Sequence, residues 1–289
     1  MSGLNHNLDR TFPSGEVTNG LAAIKARFEG FHTMEELKLA FSCIDLTTLG
    51  ADDTQEKGRV MAEKVSLFPG HFPELPNVAA ICVYPTLVKT VRDNLKDPKV
   101  AIAAVSAGFP SSMTFLAVKE LETSLTIALG ANEIDIVISV GTFLEGNFEV
   151  VSEEISSIKK SCGNAHLKVI LETGALKTPE HIWKASMLAM HAGADFIKTS
   201  TGKIEPAATP EAAWVMSSAI SEFYKKTGKK VGFKAAGGIV ESTDALFYVD
   251  IVREILGENW LNPTLFRIGA SRLANNLLTS ITKEKISYF

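Results

Sequence analysis

Two lysines stand at the ends of apolar β-rich runs, Lys198 after Phe196-Ile197 and Lys234 after Val231-Gly232-Phe233. A lysine attacks a carbonyl only as the free amine, and at an ordinary pKa of about 10.4 less than roughly 0.1% of it is free at pH 7. Burial and a neighbouring cation both lower that pKa. A like charge about 5 Å away costs roughly 3 kcal/mol at an effective dielectric of about 20, enough to carry one of a lysine pair towards neutrality and make it a nucleophile. Carboxylates that could move protons around such an amine are Asp45, at the end of the first run, and Asp135, in the fourth; Lys168 lies in the fifth. Taken singly, either lysine could equally cap a strand and point to solvent.

A second group of residues suits an anion. Thr201-Gly202-Lys203 follows the Lys198 run, Gly237-Gly238 follows the Lys234 run, and Gly269-Ala270-Ser271-Arg272 follows the last run. Glycine lets backbone N–H groups approach a phosphate closely, Ser271 offers a hydroxyl, Arg272 a charge, and a helix start its dipole. The same glycines could simply make tight turns. Cys82, in the second run, is a further candidate beside the substrate, although a cysteine in an apolar strand is also ordinary core. The six histidines show no paired spacing, so no metal site is expected, and neither GxGxxG nor GxxxxGK[ST] occurs.

These residues need a scaffold that gathers strand ends. Eight apolar runs recur, at Phe41–Leu46, Val78–Val83, Val100–Val105, Ile134–Val140, Leu167–Leu171, Phe196–Lys198, Val231–Phe233 and Leu265–Ile268. Helical segments are predicted between most of them, at 56–65, 112–129 with Ser112 as a cap, 152–161, 178–191, 209–226, 242–256 and 271–278. Thr178-Pro179 and Thr209-Pro210 read as helix starts. Alternation of strand and helix requires a parallel α/β fold. Eight units of about 30 residues are the arithmetic of a (β/α)8 TIM barrel, whose active sites lie at the C-terminal strand ends; a doubly wound sheet would need only five or six strands. No Pro-, Gly- or Ser-rich linker divides the chain. One barrel over 33–289 is expected, after an N-terminal extension at 1–32.

The 289 residues are 46% hydrophobic and 21% charged, with a net charge of -4. That balance gives no general attraction for nucleic acid or an anionic membrane. Three cysteines without a CxxC argue against a disulfide framework. The polar N-terminus lacks the apolar region of a signal peptide, and no apolar stretch reaches membrane-spanning length. A soluble cytoplasmic protein is expected.

The segment Gly193-Ala194-Asp195-Phe196-Ile197-Lys198-Thr199-Ser200-Thr201-Gly202-Lys203 closely resembles the deoxyribose-phosphate aldolase family. So do Asp45-Leu46-Thr47-Thr48-Leu49, Ala79-Ala80-Ile81-Cys82-Val83-Tyr84-Pro85, Glu133-Ile134-Asp135-Ile136-Val137, Val231-Gly232-Phe233-Lys234 and Phe266-Arg267-Ile268-Gly269-Ala270-Ser271, which together span nearly the whole barrel. Ala107-Gly108-Phe109-Pro110 and Glu258-Asn259-Trp260-Leu261 are more similar to eukaryotic members.

The resemblance implies reversible cleavage of 2-deoxy-D-ribose 5-phosphate to acetaldehyde and D-glyceraldehyde 3-phosphate, without a cofactor. It assigns the Schiff base to Lys198, the neighbouring cation to Lys234, proton transfer to Asp135, and support to Asp45 and Lys168. It also implies an assembly of identical chains, a dimer or larger. Three positions depart from the family pattern: Ala235 stands where Pro is usual, Val240 where Arg is frequent, and Arg272 where Ser or Thr is frequent. Arg272 is therefore expected to replace the charge missing at Val240. Tyr288 could either reach the site, as a C-terminal tyrosine does in some bacterial members, or belong to an apolar tail, Ile286–Phe289, packed on the surface. Another phosphosugar barrel enzyme, or a silent sugar-phosphate sensor, are the rival readings.

Overall fold

A computed structural model describes residues 8–28, 30 and 32–289. The chain runs α1 (Glu16–Phe28), α2 (Met34–Ser42), β1 (Ile44–Thr47), α3 (Gln55–His71), β2 (Ala80–Val83), α4 (Val88–Asn94), β3 (Ala101–Val105), α5 (Leu116–Ala128), β4 (Glu133–Val137), α6 (Val140–Leu144) and α7 (Phe148–Ser161). It continues with β5 (His166–Ile170), α8 (Thr173–Leu176), α9 (Pro179–His191), β6 (Phe196–Lys198), α10 (Pro210–Thr227), β7 (Gly232–Ala236), α11 (Ser242–Leu256), β8 (Phe266–Ala270) and α12 (Leu273–Thr282). All eight strands pair in parallel in sequence order, and β8 returns to β1, closing the barrel. This is the (β/α)8 architecture that the spacing predicts.

The strands are short and their outward residues are apolar because helices cover them. Ile44, Leu46, Ile81, Ile102, Ile134, Ile136, Leu167, Val169, Ile197, Phe233 and Ile268 are all buried in this outer core. Thr178 and Thr209 cap α9 and α10 as expected, accepting from the N–H groups of His181 and Ala212, with Pro at the first turn of each. The N-terminal helix α1 lays Val17, Leu21 and Ile24 into the same core, next to α10 and α11. Residues 1–7 of the expected extension, His6 among them, lie outside the described residues.

Several boundaries differ from expectation, for identifiable reasons. Phe41 lies in the last turn of α2 instead of opening β1: Thr33 and Glu36 form a reciprocal cap that starts this helix, and Ala40 and Phe41 in its last turn are buried. Val140 begins α6, so β4 stops at Val137. The run after β2 carries a helix, α4, that the sequence pattern did not signal. Ser112 caps nothing. It sits at φ 59° in a buried turn, where its hydroxyl accepts from Lys119 Nζ at 2.8 Å, and α5 starts only at Leu116. Ser271 lies on the loop before α12. Among the described residues, no helix is long and apolar enough to cross a membrane.

Candidate active site

Side chains alternate across a strand, and the inward positions of this barrel are largely charged. The register sets Asp135 beside Lys168, Lys198 beside Lys234, and Lys234 beside Arg267. Closure of the barrel brings Arg267 onto Asp45 across 222 positions of sequence. Seven ionisable side chains thus meet at the barrel's centre: Asp45, Glu133, Asp135, Lys168, Lys198, Lys234 and Arg267, all buried.

The contacts follow a hierarchy. Lys198 Nζ meets only Asp135, at 2.8 Å from Oδ2. Lys234 Nζ lies 2.8 Å from the same oxygen and also on Asp45. Lys168 sits on Glu133, 3.3 Å from Asp135 and 3.7 Å from Asp45. Arg267 forks onto Glu133, 2.7 and 3.1 Å from its two oxygens, and reaches Asp45. Four potential cations therefore face three carboxylates. The cluster balances when one lysine is neutral, and Lys198, with the fewest carboxylates, is the one placed to release its proton.

The titration directions agree. Burial pushes the Lys198 amine below its ordinary value; Asp135 opposes the shift, and Lys234 adds to it. Burial acts the same way on Lys234, but Asp135 and Asp45 overcome it and hold that ammonium well above the usual range. Lys168 is likewise raised, by Asp135, Glu133 and Asp45, against its burial. Burial would raise Asp45 and Asp135; the cations around them win and hold both carboxyls low.

The floor of the cluster is apolar. The Phe196 ring lies 5.9 Å from Lys168 Nζ and 5.8 Å from the Arg267 guanidinium. It fits only because Gly232 stands opposite: a Cβ there would be 2.3 Å from the ring. Gly269 is required for a related reason, since a Cβ would come within 3.1 Å of Lys234 Cε and 2.9 Å of Ala236.

Above the cluster opens a cavity of about 340 Å³. Lys198 lines it, as do Thr201, Gly202, Lys203, Gly237, Gly238, Gly269, Ser271 and Arg272, together with Thr47, Leu49, Gly50 and Val240. The candidate anion-binding residues of three separate loops thus share one wall with the candidate nucleophile. Gly237, at φ +90°, has no room for a side chain, because a Cβ would stand 2.6 Å from that of Ala207. Glu172 fixes the β6 loop by accepting from the Thr201 N–H at 3.1 Å and from its hydroxyl at 2.5 Å. Lys203 ties that loop across the mouth to the carbonyl of Leu49.

Two candidates lie elsewhere. Cys82 does not line the cavity; it is buried on β2 among Ala80, Ala101 and Ala103, and burial raises its thiol. Tyr288 belongs to the surface tail. Its hydroxyl donates to the Lys64 carbonyl at 2.7 Å, and its ring packs on Phe68, Phe72 and Phe289, outside the barrel on α3. Lys234, expected at a strand end, is in mid-strand, and it is fully buried. The sequence reading missed Glu133 and Arg267. Both sit at even spacing from inward residues already singled out, Asp135 and Gly269, and the alternation of β4 and β8 points to them. Among the described residues, no cluster of His, Cys, Asp and Glu could hold a metal ion.

Comparison with known proteins identifies the family. Residues 41–255 match the DeoC/LacD family aldolase. The deoxyribose-phosphate aldolase of Homo sapiens is 44% identical over 249 residues, covering 82% of this chain and 78% of that one. That of Bos taurus is 43% identical over 245 residues, covering 81% and 77%. The fold of the tetrameric deoxyribose phosphate aldolase from Aeropyrum pernix superposes with a TM-score of 0.68 at 24% identity, covering 93% of this chain and 98% of that one. A closed eight-stranded barrel with charged side chains at its centre, and a family match over residues 41–255, lead to one conclusion: the chain belongs to the DeoC/LacD family of aldolases.

Proposed function

We propose that the chain reversibly cleaves 2-deoxy-D-ribose 5-phosphate to D-glyceraldehyde 3-phosphate and acetaldehyde through a Schiff base on Lys198. One observation carries the reading: of the three lysines in the cluster, Lys198 alone both lines the cavity and has its pKa lowered.

The neutral amine adds to the C1 carbonyl of the open-chain sugar. Asp135, held ionised by Lys168, Lys198 and Lys234, takes a proton from the attacking nitrogen and passes it to the carbinolamine oxygen; one further proton from solvent lets that hydroxyl leave as water as the protonated imine forms, and the final hydrolysis releases this proton again. A base takes the proton of the C3 hydroxyl. The C2–C3 bond breaks, its electron pair flowing into the imine, and the three-carbon aldehyde leaves. The remaining two-carbon enamine is protonated at carbon and hydrolysed to acetaldehyde, which restores the amine. Lys234 remains a cation throughout, and its field disfavours a second positive charge on the resting Lys198. The phosphate is held by the glycine loops and Arg272, which supply binding energy remote from the reacting bond. The imine is the electron sink, so the scheme calls for no cofactor. The reaction uses only small aldehydes, in keeping with an absence of nucleic-acid or membrane partners.

The test is borohydride reduction in the presence of acetaldehyde, read by intact mass and peptide mapping. The expected result is one reduced adduct on Lys198, absent from Lys198→Ala. An adduct on Lys234, or none in folded protein, overturns the assignment.

A further inference from the structure

Two of the charged side chains at the barrel's centre have no part in the scheme above. Arg267 and Glu133 are buried, neither is among the described residues that line the cavity, and neither pairs with Lys198. Arg267 is fully engaged. Its Nε donates to the Pro263 carbonyl, Nη2 to Glu133 at 2.7 Å, and Nη1 to Glu133 at 3.1 Å and Asp45 at 2.5 Å. A guanidinium does not give up its proton inside a protein. Here burial opposes the charge, and Asp45 and Glu133 more than offset it. A proton missing from this cluster is therefore missing from a lysine.

Which lysine follows from how the carboxylates are shared. Glu133 is divided between Arg267 and Lys168, and Asp45 between Arg267 and Lys234. Lys168 and Lys234 find their remaining partner in Asp135, at 3.3 and 2.8 Å. Asp135 thus serves three lysines, and it is the carboxylate that meets Lys198. Without Arg267, Glu133 would belong to Lys168 and Asp45 to Lys234. Asp135 would be left to Lys198, one carboxylate for each lysine.

We propose that Arg267 is a positioning residue for the charge state of Lys198: it occupies Glu133 and Asp45, crowds three lysines onto Asp135, and so leaves the exposed member of the three as a free amine. This rests on the reading of Lys198 as the Schiff-base lysine. Glu133 is the counterweight, since its charge offsets that of Arg267. The other ionisable groups around Lys198 are Cys82 on β2, Glu172 bonded to Thr201, and Lys203 and Arg272 on the cavity wall. They are the same in every variant below, so they cannot produce a difference between variants.

The test is trapping of acetaldehyde on Lys198 with cyanoborohydride from about pH 5 to pH 9, mapped by peptide mass and expressed relative to the parent at each pH. Only the free amine reacts, so the midpoint of the rise with pH follows Lys198. Arg267→Met is expected to move that midpoint up by about one unit, the effect of one charge about 10 Å away at an effective dielectric of about 20. Trapping at neutral pH then falls roughly tenfold. Glu133→Gln, of the same shape, is expected to move the midpoint down. The double variant leaves three lysines facing two carboxylates, restores the excess of one cation, and returns towards the parent profile. Lost packing would slow all three variants and could not reverse sign. If Arg267→Met does not fold, Glu133→Gln decides alone, and a midpoint that stays or rises overturns the proposal. So does a midpoint indifferent to Arg267, or a double variant displaced further than Arg267→Met. A parent that forms no adduct on Lys198 overturns the Schiff-base reading and this proposal with it; an adduct whose midpoint ignores Arg267 overturns this proposal alone.

Discussion

The barrel interior has two unlike halves. From β4 round through β8 to β1, inward positions carry Glu133, Asp135, Lys168, Lys198, Lys234, Arg267 and Asp45. On β2 and β3 they carry Ala80, Cys82, Ala101 and Ala103. Each half explains the other. Long ionised side chains converge from one wall only if the facing wall is low, and their charges interact strongly only if the space between them holds little water. The small residues supply both conditions. A barrel filled evenly with branched aliphatics, the commoner arrangement, would be more conventional packing and would have no room for a lysine amine.

The sharpest way to break this contrast is Asp135→Asn, which removes the carboxylate shared by Lys168, Lys198 and Lys234. Turnover is expected to fall about 10²- to 10⁴-fold with loss of proton transfer. Stability is expected to fall by about 3–5 kcal/mol, because buried cations lose their partner; denaturant titration measures it. The pH dependence has a fixed sign. The Asp135 carboxyl lies well below its ordinary 3.8 when folded, so its contribution is complete above that value and is lost as pH falls through the folded pKa. The gap between parent and variant is therefore constant at neutral pH and narrows only below about pH 4. A gap that narrowed near pH 7 would refute the ionised assignment.

Cys82→Leu probes the low wall instead. The added methylenes are expected to cost about 1–3 kcal/mol of stability, and turnover should drop as the lysines are displaced. A fully active, equally stable variant would mean that the β2 wall is not what makes the room.

The mildest change, Arg272→Ala, touches neither half. It is expected to raise KM for the phosphorylated sugar roughly tenfold, near the lower limit for a hydrogen bond to a charged group. The kcat value and the weak turnover of unphosphorylated deoxyribose should not change. An equal effect on both sugars would remove Arg272 from the phosphate wall.

Much of this organisation is written in local sequence. The threonine caps with their prolines, the strand positions, the two lysines and the three glycine loops are all set by residues near one another in the chain. What escapes such a reading depends on distant partners. Arg267 matters because β8 closes onto β1, and Glu133 because Lys168 and Arg267 arrive from other strands. Tyr288 is decided by the aromatic surface of α3, to which no spacing near the C-terminus points.

The aromatic floor gives the site a direction. With the Phe196 ring seated over Gly232, one side of the cluster is floored by an aromatic, while on the other Lys198 faces the cavity by which the proposed sugar would reach it. Substrate and the water that exchanges with the Lys198 amine would share that cavity. An enzyme holding its ligand should therefore trade hydrogen with the solvent far more slowly than an empty one, and the timing of that exchange would report when the cavity is open.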